Sequence, residues 1–137
     1  MTVDLPTQDS PFTRLGNRSG LSFELLHQAA VRRIYCGSVV LNQYTGNELE
    51  GSLCQLYLRT HEAGRIAAFT PLLGPQSPAA FVCDESGWHG QGFWQGIAFS
   101  LRLQLAADET AWFWHIRLSN TLPHPQTLDI LHTQDVG

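Results

Sequence analysis

The chain has 137 residues, 43% of them apolar and only 15% charged, with a net charge of −4 at pH 7. That length suits one domain able to bury roughly two thirds of its unfolded surface, and the apolar share excludes a disordered chain. All eight basic residues are arginine, and an acidic balance without a basic cluster excludes nucleic acid and anionic membrane as partners.

Residues 1–19 are polar and read as a flexible lead-in. They carry acids early and no apolar core, so they are not a secretory signal. Asn17-Arg18-Ser19 fits the glycosylation sequon by chance, since no secretion signal accompanies it. No segment reaches the roughly 18 uninterrupted apolar residues of a membrane helix, and the expected compartment is the cytoplasm.

From Leu21 onward the dominant period is two, as in half-buried strands. Candidate strands follow in order: "LSFELL", "VRRIYC", "SVVLNQY", "LCQLYLRTH", "RIAAFTPLL" and "FVCDE". Gly37, "TGN" at 45–47, Gly64, "GPQSP" at 74–78 and the glycines of "SGWHGQG" punctuate them. In "FSLRLQLA", Phe99, Leu101, Leu103 and Leu105 alternate with Ser100, Arg102 and Gln104. In "WFWHIRLSN", Trp112, Trp114, Ile116 and Leu118 alternate with Phe113, His115, Arg117 and Ser119. The short polar "ADET" between these two runs predicts a β-hairpin. After "LPHP" comes one more extended run, "TLDILHTQD", and the chain stops at Gly137. The pattern predicts an all-β antiparallel sandwich over 20–137 in a single domain without repeats.

Little catalytic chemistry is visible. In "GWHGQGFWQG" the glycines at 87, 90, 92 and 96 miss the dinucleotide spacing, and no helix follows, so a turn or bulge is expected there. "GNRSG" is not a nucleophile elbow. His27, His61, His89, His115, His124 and His132 show no metal-ligand spacing. Cys36, Cys54 and Cys83 are odd in number and widely spaced, which points to small buried hydrophobes. No metal, cofactor or catalytic residue is assigned. Glu48 and Glu50 share a face if extended, but neighbours on one strand cannot straddle a sugar ring. Trp112 and Trp114 fit a core. Trp88 and Trp94 flank a glycine-rich stretch and are the better candidates for exposure. The candidate carbohydrate contacts are therefore Asn47, Glu48, Glu50, Trp88 and Trp94.

Taken together, "GNRSGLSFELL", "GNELEG", "TPLLGPQSP", "WFWHIRLSN" and "QDVG" resemble the N-terminal region of the inverting glycoside phosphorylases related to cellobiose phosphorylase. In character they are similar to 1,2-β-oligoglucan phosphorylase and to the phosphorylase-like region of cyclic β-1,2-glucan synthase. The resemblance runs from about Asn17 to the last residue. It implies a galactose-mutarotase-like β-sandwich that leads, through a helical linker, into an (α/α)-barrel. In that barrel an acid protonates the glycosidic oxygen while phosphate attacks the anomeric carbon. Those residues would lie beyond Gly137, so no catalytic position is carried over, and the chain is expected to be a fragment of a longer one.

The expected role is a non-catalytic sandwich that shapes the cleft or dimer interface of an enzyme on β-linked glucans. Two further readings are a stand-alone carbohydrate-binding module and, by fold analogy alone, a sugar mutarotase or epimerase. The last needs a histidine and a carboxylate facing one another across a cleft. Expected partners are a β-glucan oligosaccharide, a downstream catalytic barrel and a second copy of the chain. Missing strands would leave open sheet edges and an uncovered apolar face, which favour self-association.

Overall fold

The structure, a computed structural model, describes residues 1–8 and 11–137. Among the described residues, twelve strands follow in chain order: β1 Thr2–Asp4, β2 Thr13–Gly16, β3 Leu21–Leu25, β4 Val31–Cys36, β5 Val39–Val40, β6 Gln55–Glu62, β7 Arg65–Pro71, β8 Ala80–Asp84, β9 Gly87–Trp94, β10 Ile97–Leu105, β11 Trp112–Asn120 and β12 Thr127–Thr133. They form three sheets, ordered β1-β2-β3-β4-β5, β11-β10-β9-β8 and β12-β6-β7, and every pairing is antiparallel. Among the described residues the only helical element is the 3-10 turn His27–Ala29. Among the described residues no helix is long and apolar enough to cross a membrane.

The all-β antiparallel sandwich predicted from the alternation is what the chain forms. One apolar core draws on all three sheets, with Leu15, Phe23 and Ile34 from the first, Leu101 and Leu103 from the second, and Leu56 and Leu58 from the third. The β10–β11 hairpin is present in the expected register, Leu101 opposite Ile116 and Leu103 opposite Trp114. Its inward set Phe99, Leu101, Leu103 and Leu105 is buried, while Arg102 and Gln104 face out. Phe23 meets the edge of Trp112 at 5.3 Å between ring centroids, joining the first sheet to the second. The tight turns Ala63-Gly64 and Gln95-Gly96 have positive φ at both residues, the geometry whose twist suits two-residue hairpin loops.

Two expectations need correction. Of the expected lead-in 1–19, residues 9–10 lie outside the described residues, and the rest is not outside the sandwich, because β1 and β2 extend the first sheet and Thr13 and Leu15 are fully buried. The short runs "TVD" and "TRLG" hide this from a period count. Asn17 then clasps the first sheet to the second. Its Nδ2 donates to the carbonyls of Ala106 and Glu109 at 2.6 and 2.8 Å, and its Oδ1 accepts from Ser19 and Leu21.

Of the glycines at 87, 90, 92 and 96, Gly96 does close a turn with Gln95, but Gly87, Gly90 and Gly92 do not. They lie within β9, a central strand paired with both β8 and β10. Gly90 and Gly92 occupy inward positions where a Cβ would stand 2.5 Å from the Phe81 ring and 2.4 Å from the Phe99 ring. The absent side chains make room for those two aromatic rings.

Candidate functional site

The loop between β5 and β6 carries three of the five candidate residues. Its geometry begins with Gly46, whose N–H donates to the Arg32 carbonyl at 3.0 Å. A Cβ there would fall 2.1 Å from the Val31 carbonyl oxygen, so only glycine lets the loop approach β4 so closely. Asn47 and Gly51 then exchange two backbone hydrogen bonds of 2.9 Å. The Asn47 Oδ1 accepts from the amides of Leu49 and Glu50, and its Nδ2 donates to the Glu50 carboxylate at 3.3 Å. Asn47 is thus an Asx-turn residue that folds the loop, with Glu50 tied to it. Glu48 stands exposed.

Asn42, just before this loop, supports it from beneath. Its buried side chain accepts from the Ile34 amide at 2.8 Å and donates to the carbonyls of Arg32 and Tyr44. Asn42 thereby continues the edge pairing of β4 after β5 has ended.

Between this loop and β4 lies an open cleft of about 650 Å³, lined by Leu26, Arg32, Glu48 and Leu49 among others. One wall is electrostatically closed. Glu24 is 2% exposed and bonded to both Arg14, at 2.7 Å, and Arg32. The Phe12 ring lies under the same two guanidiniums, 4.8 Å from Arg32 and 5.8 Å from Arg14, a stacked cation–π arrangement. Glu24 is neutralised by two cations and offers no free carboxylate to a ligand.

The two candidate tryptophans lie elsewhere. Trp88 is 7% exposed and packs its ring edge-on to Phe81 at 5.6 Å. Trp94 is half-buried against the core. The expected exposure of Trp88 is therefore wrong. "WHGQGFW" is a strand whose inward positions are Trp88, Gly90, Gly92 and Trp94, and counting glycine as an inward residue would have shown it. The structure does not bring the tryptophans together with Asn47, Glu48 and Glu50.

Cys54 is buried as expected, whereas Cys36 and Cys83 are half-buried, and all three are free. Burial pushes the Cys83 thiol above its ordinary range, which makes it a poorer nucleophile.

Two histidine–carboxylate pairs escaped the sequence. On the β6–β12 pair, Asp129 accepts from Arg59 Nε at 2.7 Å and Arg59 Nη2 at 2.6 Å, and His61 Nε2 stands 3.0 Å from the same carboxylate. The Arg59 hydrogen bonds, followed by that of His61, hold the Asp129 carboxyl below its usual range. At the β8–β9 turn, the Ser86 hydroxyl bonds the Asp84 carboxylate and lies 2.6 Å from His89 Nε2. Ser86 hydrogen bonds also draw the Asp84 carboxyl down. This order differs from a catalytic triad, in which histidine lies between serine and carboxylate and takes the serine proton. Here serine lies between the other two, donates to the carboxylate and accepts from the imidazole, so the group closes a turn. Register brings His61 to Asp129 across 68 positions and is nonlocal, whereas Asp84, Ser86 and His89 meet within a single turn.

The outer face of β8–β11 carries the other surface concentration of polar side chains. Cross-strand register aligns Val82, His89, Arg102 and His115 in one row, and Ala80, Gln91, Ser100 and Arg117 in the next. A depression of about 540 Å³ opens over them. Phe93 and Phe113, 60% and 53% exposed, flank it. Among the described residues, no group of three or more His, Cys, Asp or Glu side chains is placed to hold a metal ion.

A family model described as the SOGP N-terminal domain matches residues 24–137. No curated protein matches the chain at a significant level. The match runs from Glu24, near the end of β3, to the last residue, including the β6–β7, β8–β9 and β10–β11 hairpins and the Asn47 loop, and on that extent the chain belongs to the family of SOGP N-terminal domains.

Proposed function

We propose that the chain is the non-catalytic N-terminal β-sandwich of a cytoplasmic glycoside phosphorylase acting on β-linked glucans, with β-1,2-glucans the first substrates to test. In this reading it is the leading portion of a larger super-sandwich. It packs beside a downstream catalytic barrel and shapes the substrate cleft or the dimer interface. The observation that carries the reading is the match to an N-terminal-domain family over residues 24–137.

The chemistry of the carboxylates agrees with a supporting role. A general acid for glycosidic cleavage needs a raised pKa, whereas Asp84 and Asp129 are both drawn down by their hydrogen-bond donors. His61 and Asp129 are in direct contact on adjacent strands, which leaves no gap for a sugar ring between them and weighs against a mutarotase.

A second reading, a carbohydrate-binding module acting alone, is favoured by Tyr44, which is 60% exposed and lies with Tyr57 along a further cleft of about 390 Å³ beside the Asn47 loop. Aromatic faces of this kind suit the C–H faces of sugars.

Two measurements separate these readings. Incubated with β-1,2-linked gluco-oligosaccharides and inorganic phosphate, the 137-residue chain is expected to release no glucose 1-phosphate. Release by this chain would overturn a non-catalytic role. Reading the gene past the codon for Gly137 tests the parent enzyme: a continuation into a helical barrel supports it, and a stop codon there overturns it. Saturable amide shifts at Tyr44, Glu48 and Tyr57 on adding the oligosaccharides would then support independent binding.

A further inference from the structure

The depression on the outer face of β8–β11 has a physical cause. Ser100 is the short residue at its centre, with Gln91 and Arg117 directly opposite on the two neighbouring strands. His89, Arg102 and His115 form the next row. A short side chain ringed by five long ones leaves a dent whose floor is strand backbone and one hydroxyl.

The charges around that dent are unbalanced. Most arginines elsewhere have a partner: Arg14 and Arg32 hold Glu24, Arg59 holds Asp129, and Arg18 meets Asp108. Among the described residues, Arg102 bonds only the neutral side-chain carbonyl of Gln104, at 3.2 Å. That same oxygen lies 2.8 Å from His115 Nε2, so the amide steadies both rims of the dent without neutralising either. Among the described residues, Arg117 and the Ser100 hydroxyl make no side-chain hydrogen bond at all. Arg102 and Arg117 lie diagonally across the β10–β11 pair, and both line the depression. They place two positive charges around one dent, in a chain whose net charge is −4. An anion bound there balances both charges.

We propose that this depression binds a small phosphate monoester, with the phosphate held between Arg102 and Arg117 over the Ser100 hydroxyl. Two guanidiniums offer several N–H donors in planar forks, which match the oxygens of a phosphate. The remaining volume lies in the range of small-ligand sites. Gln91 and His89 on the β9 side, with Phe93 beyond them, give hydrogen bonds and an apolar face to the organic part. A phosphorylated hexose has that combination of dianion, hydroxyls and C–H surface. This site is separate from the Asn47 loop and does not depend on the phosphorylase reading.

The test is a set of amide-correlation NMR titrations of the full 137-residue chain with inorganic phosphate, glucose 6-phosphate, glucose and a glutamate-rich peptide. Saturable shifts confined to β9–β11 are expected with phosphate and, at least about tenfold more tightly, with glucose 6-phosphate. Arg102→Gln and Arg117→Gln should each weaken glucose 6-phosphate about tenfold or more, as expected for loss of a charge-assisted contact. Both side chains are exposed, and unchanged peak dispersion will verify the fold of each variant. No saturable shift with either phosphate, equal binding of glucose and glucose 6-phosphate, or binding indifferent to both substitutions would overturn the proposal. Preference for the acidic peptide over both phosphates would also overturn it and make the face a protein interface.

Discussion

Arg59 and Asp129 stand directly opposite one another across β6 and β12 and meet in a two-armed ion pair, Nε to Oδ1 at 2.7 Å and Nη2 to Oδ2 at 2.6 Å. Pairing across the register fixes β12, which has a neighbour on one side only. The Asp129 carboxyl is held below its ordinary value by Arg59 first and His61 second. A lowered folded pKa means that this stabilisation is fully present above the unfolded carboxyl value of about 3.9 and is lost as pH falls through the folded value. Thermal midpoints measured from pH 6 downward should therefore fall below about pH 4. In Asp129→Asn the fall should be shallower, with the Asp84 share remaining. Parallel curves for the two proteins would show that the pair contributes nothing to acid sensitivity.

Trp88 is a core residue with an unusual debt. Its indole Nε1–H is buried without a hydrogen-bond partner, a situation that costs about 1–3 kcal/mol. Trp88→Phe removes that donor while keeping a ring against Phe81, so stability should change by less than about 1 kcal/mol. Trp88→Ala should lose about 3–5 kcal/mol. Urea denaturation of the two variants separates these outcomes. A large loss in Trp88→Phe would mean that the indole nitrogen has a partner after all. Oligosaccharide titrations should not distinguish Trp88→Phe from the parent chain.

What the sequence made legible follows from where the information is local. The alternation of Phe99, Leu101, Leu103 and Leu105 against Arg102 and Gln104 is set by strand geometry alone, so it reported the β10–β11 hairpin and its inward face. β9 is legible only when glycine is counted as an inward residue, and the reason for glycine there is not local. Its inward glycines are required by Phe81 and Phe99 on neighbouring strands, and those contacts appear only once the sheet is assembled. The Asn47 loop lay between, since "GNELEG" marks a turn, but only geometry shows the Asn47 side chain consumed by its own backbone. The His61–Asp129 pair is separated by 68 positions, and the two rows of polar side chains over Ser100 depend on the register of four strands. No single-chain pattern encodes either.

Glu24 tests how the first sheet tolerates charge. It is 2% exposed between Arg14, about half exposed, and Arg32, 28% exposed. Glu24→Gln keeps the shape but leaves two guanidiniums without their counterion, and removing one member of a buried pair costs about 3–5 kcal/mol. Arg14 still reaches water, which lowers the expected loss to about 2–3 kcal/mol. Arg14→Ala should cost less than Glu24→Gln, because Arg32 continues to hold the carboxylate. Equilibrium denaturation of both variants checks the order, and the reverse ranking would show that Arg14, not Glu24, organises the cluster.

Gly92 is the sharper test of how β9 is built. A Cβ at this position would lie 2.4 Å from Phe99 Cζ and 3.1 Å from Ala79 Cα. The second contact is with backbone, which cannot rotate away, and Phe99 is 4% exposed with little room to move. At Gly90 the nearest atoms to a new Cβ all belong to the Phe81 ring, from 2.5 Å, and Phe81 is half-buried on β8, an edge strand with freedom to shift. Overpacking of a filled core costs about 1–3 kcal/mol, so Gly92→Ala should fall at or above the top of that range and Gly90→Ala near its bottom. A double variant, Gly92→Ala with Phe99→Leu, should recover part of the loss, because the smaller side chain vacates the space that the new methyl enters. If Gly92→Ala is as stable as the parent chain in urea denaturation, the Phe99 ring does not lie across β9 and the packing of the second sheet must be redrawn.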